Sequence, residues 1–266
     1  MKVNSIWYLI IDKKHKSASY NMAVDEFMLK KVEEASNTTI LRFYGWSPPS
    51  ISIGRSQRHK RVVNFDLLRK HGIDFVRRPT GGKTVLHYDE LTYSIASSDK
   101  TFVNSTSIRE VYNLLAKALL KGLRDLNLNA EIISKDPKGI VKTDLPCFSY
   151  PTRDEIVING KKIIGSAQKR SKLAFLQHGS IPIKDRRELY AKLTGIDKTV
   201  LFNSMTTIEL ELGKKDFTEI RDSFIKGFKD EFKIKFQEYL FDSEDIKQID
   251  FLINNKYSNP DWNYEL

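Results

Sequence analysis

Short stretches of this chain alternate apolar with polar residues or are rich in β-formers, and both patterns predict β-strands. The stretches are a first strand within 1–10, then Ile40–Tyr44, Ser50–Gly54, Ile73–Val76, Leu91–Ile95 and Ala174–Ile183. The pair Pro48-Pro49 separates Tyr44 from Ser50, because proline cannot continue the hydrogen bonding of a strand.

Apolar residues recur at helical spacing in other segments, which predicts helices with one buried face. An early helix covers Asn21–Leu29. A second begins at Ser107, which forms a capping box with Glu110. Its apolar face comprises Ile108, Val111, Leu115, Leu119, Gly122 and Leu126. A last amphipathic helix, capped by Asp216 and Glu219, carries Phe217, Ile220, Phe224 and Phe228 on its core face.

The Asn159-Gly160 pair lies between two β-rich segments, Glu155–Ile158 and Lys162–Ile164. Both turn residues tolerate a positive φ angle, so this pair is a strong sequence signal for a β-hairpin. The hairpin places Lys162 near the start of its second strand.

Strands in hairpins and helices in separate blocks predict an α+β fold, with mixed or antiparallel sheets packed against helices. The length of 266 residues suits one large domain, or one domain with a small appendage. We place a soft boundary within 199–213. It divides the chain into a main domain at 1–212 and a C-terminal helical segment at 213–266 that packs on it.

The charge of the chain favours acidic partners, because the formal net charge is +10. Nucleic acid and a small acidic carrier protein both fit. The sequence has no helix-turn-helix, no Cys/His zinc spacing and no aromatic RNA-binding motif, so we predict no nucleic-acid partner. No apolar run approaches the roughly 20 residues that span a bilayer, and no signal-peptide cleavage site follows the first strand. We therefore expect a cytoplasmic protein without membrane contact.

The chain has one cysteine, Cys147. A single thiol cannot form an internal disulfide, and it suits the reducing cytoplasm. Such a residue is either inert packing or a nucleophile. A thiol is only slightly ionised at neutral pH, and a nearby ammonium favours the reactive thiolate. Packing is the commoner role, so a catalytic role for Cys147 needs a second signal.

A dense polar motif occupies Arg77–His87. Its Gly81-Gly82 pair would let the backbone approach a ligand closely and leave amide N–H groups free to bind oxygen atoms. Two arginines before the glycines and a lysine after them add positive charge. A Gly-Gly pair alone is more often an ordinary turn. The flanking charges, and the Glu90–Ser94 strand that follows, favour a binding loop.

These residues resemble the lipoate/biotin protein ligase superfamily. The resemblance lies in the Arg-Arg-x-Thr-Gly-Gly…Val-x-His block with the Glu-Leu-Thr-Tyr-Ser run, and in the lysine segment Lys162–Gln168. Within the superfamily, the chain is most similar to octanoyltransferases of the LipM type. The residues that carry this closer resemblance are Cys147-Phe148, Gly165–Gln168, Gln177–Ile181, Arg42–Trp46 and Asp261–Tyr264.

The resemblance implies an enzyme that moves an octanoyl group from an acyl carrier protein to an enzyme cysteine. The group then passes to a lysine of a lipoyl-domain protein, such as the glycine cleavage H protein or an E2 subunit. Cys147 matches the family's nucleophile, and Lys162 matches the lysine that favours its thiolate. The implied substrate-binding residues are Arg77, Arg78, Thr80, Gly81, Gly82, His87, Gly165, Ser166, Ala167, Gln168, His178 and Gly179. We expect no cofactor or metal, and a monomer.

The chemistry is consistent with this interpretation. Exchange between thioesters is nearly balanced, and transfer from thioester to amide runs downhill without ATP. Lys162 would also accept the proton of the incoming amine if burial lowered its pKa. We expect His87 in the pocket wall and His178 close to it, both as structural hydrogen-bonding groups. For Tyr44, Trp46 and Tyr93, core packing and lining of an acyl tunnel both stay open.

The main alternative is an ATP-dependent lipoate–protein ligase of the same superfamily, which activates the acid as an acyl-adenylate and needs no cysteine. Such ligases commonly carry a third glycine and a Tyr-His-Asp run after the arginine pair. This chain has Lys83 after its two glycines and the run Leu86–Asp89, which favours the transferase. A nucleic-acid-binding relative and an amidotransferase between lipoyl proteins are further alternatives, and the motifs favour neither.

Overall fold

The computed structural model describes residues 5–104, 107–134 and 145–265. Its strands are β1 (Ile6–Ile11), β2 (Thr38–Tyr44), β3 (Ser50–Ile53), β4 (Asp74–Arg77), β5 (Val85–His87), β6 (Glu90–Ser97), β7 (Glu131–Ile132), β8 (Ile156–Ile158), β9 (Lys161–Arg170), β10 (Phe175–Pro182) and β11 (Phe236–Glu238). Its helices are α1 (Ala18–Glu34), α2 (His59–Val62), α3 (Phe65–His71), α4 (Lys100–Val103), α5 (Ile108–Asp125), α6 (Arg187–Thr194), α7 (Lys198–Ser204), α8 (Ile208–Leu212), α9 (Phe217–Phe232), α10 (Ser243–Leu252), a π-helix (Ile253–Tyr257) and α11 (Pro260–Asn263).

Within the described residues, an eight-stranded sheet has the order β11-β1-β2-β6-β10-β9-β8-β7. Strand β1 is parallel to both of its neighbours, whereas the pairs from β2 to β7 are antiparallel. A smaller sheet has the order β4-β3-β5, with one parallel and one antiparallel pair. The predicted α+β fold with mixed sheets is confirmed.

The large sheet is covered by helices on both faces. In β2, Leu41 and Phe43 point to one core cluster, which also contains residues of α5 and α9. Ile40 and Tyr44 point to a second cluster with α1 and α10. The division follows from geometry, because successive side chains of a strand alternate between its faces. A third cluster lies between the small sheet and α3, α6 and α7.

Helix α5 begins where the sequence predicts. The Ser107 hydroxyl oxygen accepts a hydrogen bond from the backbone N–H of Glu110. Val111, Leu115 and Leu119 of the predicted apolar face are buried against α9 and the sheet. Packing on this face therefore joins α5 and α9, which the chain separates widely.

We expect Gly227→Ala to destabilise the protein, because α5 and α9 meet at this glycine. A Cβ on Gly227 would lie 2.5 Å from the Ala118 carbonyl oxygen and 2.6 Å from the Gly122 backbone nitrogen. Both neighbours are backbone atoms that cannot rotate away, so we expect a loss of about 2 kcal/mol in the free energy of unfolding, measured by denaturant titration. Lys229→Ala on the exposed face of α9 is the control, with an expected change within about 0.5 kcal/mol.

The predicted hairpin is confirmed, and it positions the lysine segment. Asn159 and Gly160 both have positive φ angles, of 51° and 75°. They connect β8 to β9, which are paired antiparallel. Lys162 is the second residue of β9, as the turn predicts.

The C-terminal segment 213–266 contains more helices and strands than the sequence predicted. Helix α9 was predicted as the last helix, and this was wrong, since α10, the π-helix and α11 follow. The segment also contributes β11, which extends the large sheet beside β1. Phe224 and Phe228 of α9 lie in the same cluster as residues of the main domain. The boundary at 212 stays a prediction.

Candidate active site

The loop that carries Cys147 is fixed on both sides of the thiol. The Cys147 N–H donates to the carbonyl oxygen of Thr84 at 2.9 Å. The next residue, Phe148, is buried in the third core cluster, and its carbonyl oxygen accepts from the Ser204 hydroxyl at 2.7 Å. Cys147 itself is half-buried. The loop thus holds the thiol in place and leaves it accessible.

Lys162 reaches the same point from the start of β9. Its side chain is 2% exposed, so the ammonium is almost completely buried. The ammonium donates to Cys147 Sγ at 3.5 Å and to the Cys147 carbonyl oxygen at 3.1 Å. The structure therefore brings together the two side chains that the sequence singled out for catalysis.

Glu155 is a third member of this cluster that the sequence analysis missed as a site residue. Its carboxylate oxygen lies 2.5 Å from the Lys162 nitrogen. Burial by itself lowers the pKa of Lys162, but the adjacent Cys147 thiolate and Glu155 carboxylate outweigh it and hold that pKa above its ordinary value. Lys162 is therefore an ammonium at neutral pH. The condition for Lys162 as a proton acceptor, a pKa lowered by burial, is not met.

A mainly apolar cavity, partly open to solvent, lies beside Cys147. The predicted substrate-binding residues that line it are Arg78, Gly82, His87, Gly165, Ser166, Ala167, His178 and Gly179. Gly165 leaves room for the sulfur, because a Cβ there would lie 3.1 Å from Cys147 Sγ and 3.0 Å from the Phe148 ring. Cys147 and the cavity therefore form one continuous site.

Arg78 places a buried cation in the cavity wall. Its guanidinium donates to the carbonyl oxygens of Ser52, Gly81 and Lys83, and to two hydroxyls. Among the ion pairs of the described residues, none involves Arg78. Burial lowers the pKa of Arg78 to about 10, while the Cys147 thiolate acts in the opposite direction. Arg78 is thus still charged at neutral pH and can stabilise an anion in the cavity.

A chain of hydrogen bonds behind the cavity orients Arg78. The Thr80 hydroxyl oxygen accepts from Arg78 Nε at 3.2 Å and lies 2.7 Å from His178 Nε2. His178 Nδ1 lies 2.7 Å from the buried carboxylate of Asp25. An imidazole with its proton on Nδ1 satisfies both partners. Asp25 is itself paired with the buried Arg42. His178 therefore has the hydrogen-bonding surroundings of a structural group.

His87 lies in the cavity wall and, like His178, has a hydroxyl and a carboxylate as its hydrogen-bonding partners. Its Nε2 is 2.8 Å from the Ser52 hydroxyl, and its Nδ1 is 3.3 Å from the Glu90 carboxylate. The ring stacks on Trp46 with 3.9 Å between centroids. Burial lowers the pKa of His87 although Glu90 opposes this, so the imidazole is neutral at pH 7.

The remaining predicted substrate-binding residues do not line the cavity: Arg77, Thr80, Gly81 and Gln168. Arg77 follows the alternation of β4 and points away from Arg78. Its guanidinium binds backbone carbonyls, including that of Trp262 at 3.0 Å. Gln168 donates to the Gln177 side chain at 3.0 Å. Thr80 and Gly81 contact Arg78 instead.

The structure distinguishes three aromatic residues for which the sequence left both core packing and cavity lining open. Tyr44 and Trp46 line the cavity. Tyr93 is buried on the opposite face of the sheet, where its hydroxyl is 2.7 Å from that of Ser166 and accepts from Gln177 at 2.8 Å. Tyr93 therefore packs in the core, and Tyr44 and Trp46 are available to a ligand.

Comparison with known proteins places this site in a family. The family model described as lipoyl protein ligase A/B catalytic domain matches residues 17–229. The chain is 34% identical to the octanoyltransferase LipM of Bacillus subtilis, covering 96% of this chain and 97% of that protein. It is 36% identical to the LipM of an Exiguobacterium species, with the same coverage. The chain belongs to the LipM octanoyltransferase family.

Solved structures relate this LipM-family chain to lipoate ligases by fold. Lipoate-protein ligase A bound with ATP is 23% identical, with a TM-score of 0.80 and 99% of each chain covered. A bi-partite lipoate protein ligase from Thermoplasma acidophilum is 23% identical, with a TM-score of 0.79, covering 98% of this chain and 96% of that one. At this identity the likeness shows the fold alone, and the predicted ligase-like fold is confirmed.

The described ranges contain no group of three or more His, Cys, Asp or Glu side chains placed to hold a metal ion. The same ranges contain no helix long and apolar enough to cross a membrane.

Proposed function

We propose that this chain transfers an octanoyl group in two steps, from an acyl carrier protein to Cys147 and from Cys147 to a lipoyl-domain lysine. The observation that carries the proposal is the 3.5 Å contact between the Cys147 sulfur and the Lys162 ammonium, in a chain of the LipM octanoyltransferase family. An acyl-adenylate mechanism needs no thiol beside an ammonium.

In the first step the Cys147 thiolate attacks the carbonyl carbon of the donor thioester. A new carbon–sulfur bond forms, the bond to the donor sulfur breaks, and the donor leaves as a thiolate. One thioester replaces another, so little free energy is needed. Lys162 favours the attacking thiolate by Coulomb attraction, which is strong because the ammonium is buried. The Arg78 cation in the wall adds to this attraction.

In the second step the ε-amine of the acceptor lysine attacks the carbonyl carbon of the acyl-enzyme. A carbon–nitrogen bond forms, the bond to Cys147 sulfur breaks, and the proton that the amine loses ends on that sulfur. The Lys162 ammonium stabilises the departing thiolate, the charge that develops in this step. Amide formation from a thioester is downhill, so no ATP is required.

The cavity supports an acyl substrate. Its apolar lining comes from Met22, Tyr44, Trp46 and Val85. Cys147 and several polar residues line the same cavity. Ligand sites of this kind combine apolar walls with a few polar groups that fix orientation. We therefore assign the octanoyl chain to this cavity, in contact with the lining residues of the Gly165–Ala167 segment.

The partners are proposed from chemistry and charge. A formal charge of +10 favours encounter with an acidic carrier protein as donor. The acceptor is a lipoyl domain, of the glycine cleavage H protein or of an E2 subunit, because the family transfers octanoyl groups for lipoylation. We place the reaction in the cytoplasm, where Cys147 stays reduced, and the enzyme acts as a monomer.

Intact-protein mass spectrometry tests the proposal. The protein is mixed with octanoyl-carrier protein, and we expect one octanoyl adduct that hydroxylamine removes, as a thioester requires. Adding an apo-lipoyl domain should move the adduct to that domain without ATP. The proposal fails if no adduct forms, and the ligase alternative gains if free lipoate with ATP modifies the acceptor instead.

A further inference from the structure

The Glu155 carboxylate is fixed behind Lys162 by several contacts. Its Oε1 lies 2.5 Å from the Lys162 nitrogen, and its Oε2 accepts from the Thr152 N–H at 2.8 Å. Its backbone is held too, since its carbonyl oxygen accepts from the Ile133 N–H at 3.0 Å. The side chain is only 12% exposed. Glu155 therefore cannot turn away without losing a buried ion pair and a hydrogen bond.

The other groups around Lys162 differ from Glu155 in charge. The Cys147 loop contributes the thiol and a carbonyl oxygen. Tyr112 of helix α5 interacts with Glu155 and Cys147, and it is neutral because burial raises its pKa well above the ordinary value. The segment after α7 contributes only backbone, through the Thr206 N–H that donates to the Lys162 carbonyl oxygen. Among the described residues, Glu155 is thus the acidic side chain that pairs with Lys162.

The negative charge on Cys147 is present for only part of the reaction. In the free enzyme, the thiolate and Glu155 together oppose the effect of burial on the pKa of Lys162. In the acyl-enzyme the sulfur belongs to a neutral thioester. Arg78 remains as a buried cation near the sulfur. Only Glu155 then opposes burial.

We infer that Glu155 is a positioning residue that keeps Lys162 in its ammonium form in the acyl-enzyme, ready for the departing Cys147 sulfur. The inference rests on the proposed two-step transfer. Protons balance without another reactant, because the proton that the amine loses ends on the departing sulfur. Lys162 is an ammonium before and after the step, and it acts on the sulfur through its charge.

The second half-reaction of Glu155→Gln tests this inference, because glutamine keeps the size and acceptor oxygen but removes the charge. Acyl-enzyme is freed from donor and mixed with apo-lipoyl domain in single turnovers between about pH 7 and about pH 9.5. We expect the wild-type rate to hold or rise across this range. The variant should slow by about tenfold per pH unit above the new pKa of Lys162, because unopposed burial lowers that pKa.

Asp154→Asn is the matched control. Asp154 is the preceding residue, and its carboxylate pairs with Arg109, not with Lys162. Its φ of 72° is one that asparagine tolerates. This variant also loses one carboxylate, and it should keep the wild-type pH profile. Glu155→Asp retains the charge at a greater distance from Lys162, and its profile should fall between those of the wild type and Glu155→Gln.

The outcomes separate the inference from the function on which it rests. Equal pH profiles for the wild type and Glu155→Gln would overturn the inference while leaving the two-step transfer intact. A wild type that forms no acyl-enzyme would overturn the proposed function itself. If Glu155→Gln does not fold, Glu155→Asp decides: a profile identical to the wild type contradicts the inference.

Discussion

Cys147→Ala is expected to form no octanoyl adduct and to lose about 10⁴-fold or more of its transfer rate. The reason is that the thiolate is both the nucleophile of the first step and the leaving group of the second. Removing an enzyme nucleophile reduces turnover by this order. Transfer from octanoyl-carrier protein to an apo-lipoyl domain, followed by intact-protein mass, measures the loss.

The variant Cys147→Ser distinguishes loss of the nucleophile from loss of side-chain packing. The hydroxyl nearly matches the thiol in size but is not ionised at neutral pH, so this variant should be as inactive as Cys147→Ala. Its thermal unfolding should stay close to that of the wild type, because Cys147 is only half-buried. Transfer at a wild-type rate by either variant would contradict the thioester mechanism.

Lys162→Met is expected to reduce the transfer rate by about 10²- to 10⁴-fold, the range for loss of a group that moves or stabilises a proton. Methionine fills similar space without the charge that lies 3.5 Å from Cys147 Sγ. Alkylation of Cys147 by iodoacetamide should slow as well, because no ammonium then stabilises negative charge at the sulfur. Stability should also fall, by about 3 kcal/mol, because Glu155, whose side chain is only 12% exposed, loses the cation that pairs with it.

A double variant distinguishes these two effects. Lys162→Met with Glu155→Gln removes both charges, so we expect most of the lost stability to return. The transfer rate and alkylation rate should stay low, since neither substitution restores an ammonium near Cys147. Recovery of transfer along with stability would mean that Lys162 serves the fold alone.

The placement of Lys162 could be predicted because it depends on local chemistry. Asn159-Gly160 fixes a tight turn through its backbone preferences, and the turn fixes which residues begin β9. The capped helix at Ser107 was predictable for a similar reason. In both cases the determining atoms lie within a few residues of each other.

The meeting of Cys147 with Lys162 could not be predicted in this way. It depends on the hydrogen bond from Cys147 N–H to Thr84 and on the burial of Phe148, contacts made across the fold. Strand β11 was missed for a related reason. It is short, and its register with β1 exists only once the intervening domain has folded.

The Arg77-Arg78 pair shows how a polar motif can mislead. Both residues have the charge of a ligand-binding group, and the sequence analysis predicted that both bind the substrate. Neighbouring side chains of an extended segment point in opposite directions, so only Arg78 reaches the cavity. Arg77 instead binds backbone carbonyls of the C-terminal segment.

The sequence analysis also missed two acidic residues that pair with cations inside the fold. Glu155 precedes a strand, a position where an acidic residue usually faces water. Asp25 lies in helix α1, and the apolar spacing of that helix predicts no role for an acidic residue. Asp25 is buried and pairs with Arg42, while the half-buried Glu155 pairs with Lys162 across the hairpin. The hairpin register gave no signal for Glu155, since the start of β9 pairs with the other end of β8, Ile158 with Lys161 and Val157 with Lys162.

The three acceptors around Lys162 have a further consequence for the chemistry. An ammonium has three N–H bonds, and here they are matched by Cys147 Sγ, the Cys147 carbonyl oxygen and the Glu155 carboxylate. Acylation weakens the acceptor at sulfur alone. In the proposed transfer, one N–H is then released beside the new carbonyl group, while the other two still bind the Cys147 carbonyl oxygen and Glu155. On this mechanism Lys162 becomes a hydrogen-bond donor for the tetrahedral oxyanion only once the acyl group has arrived.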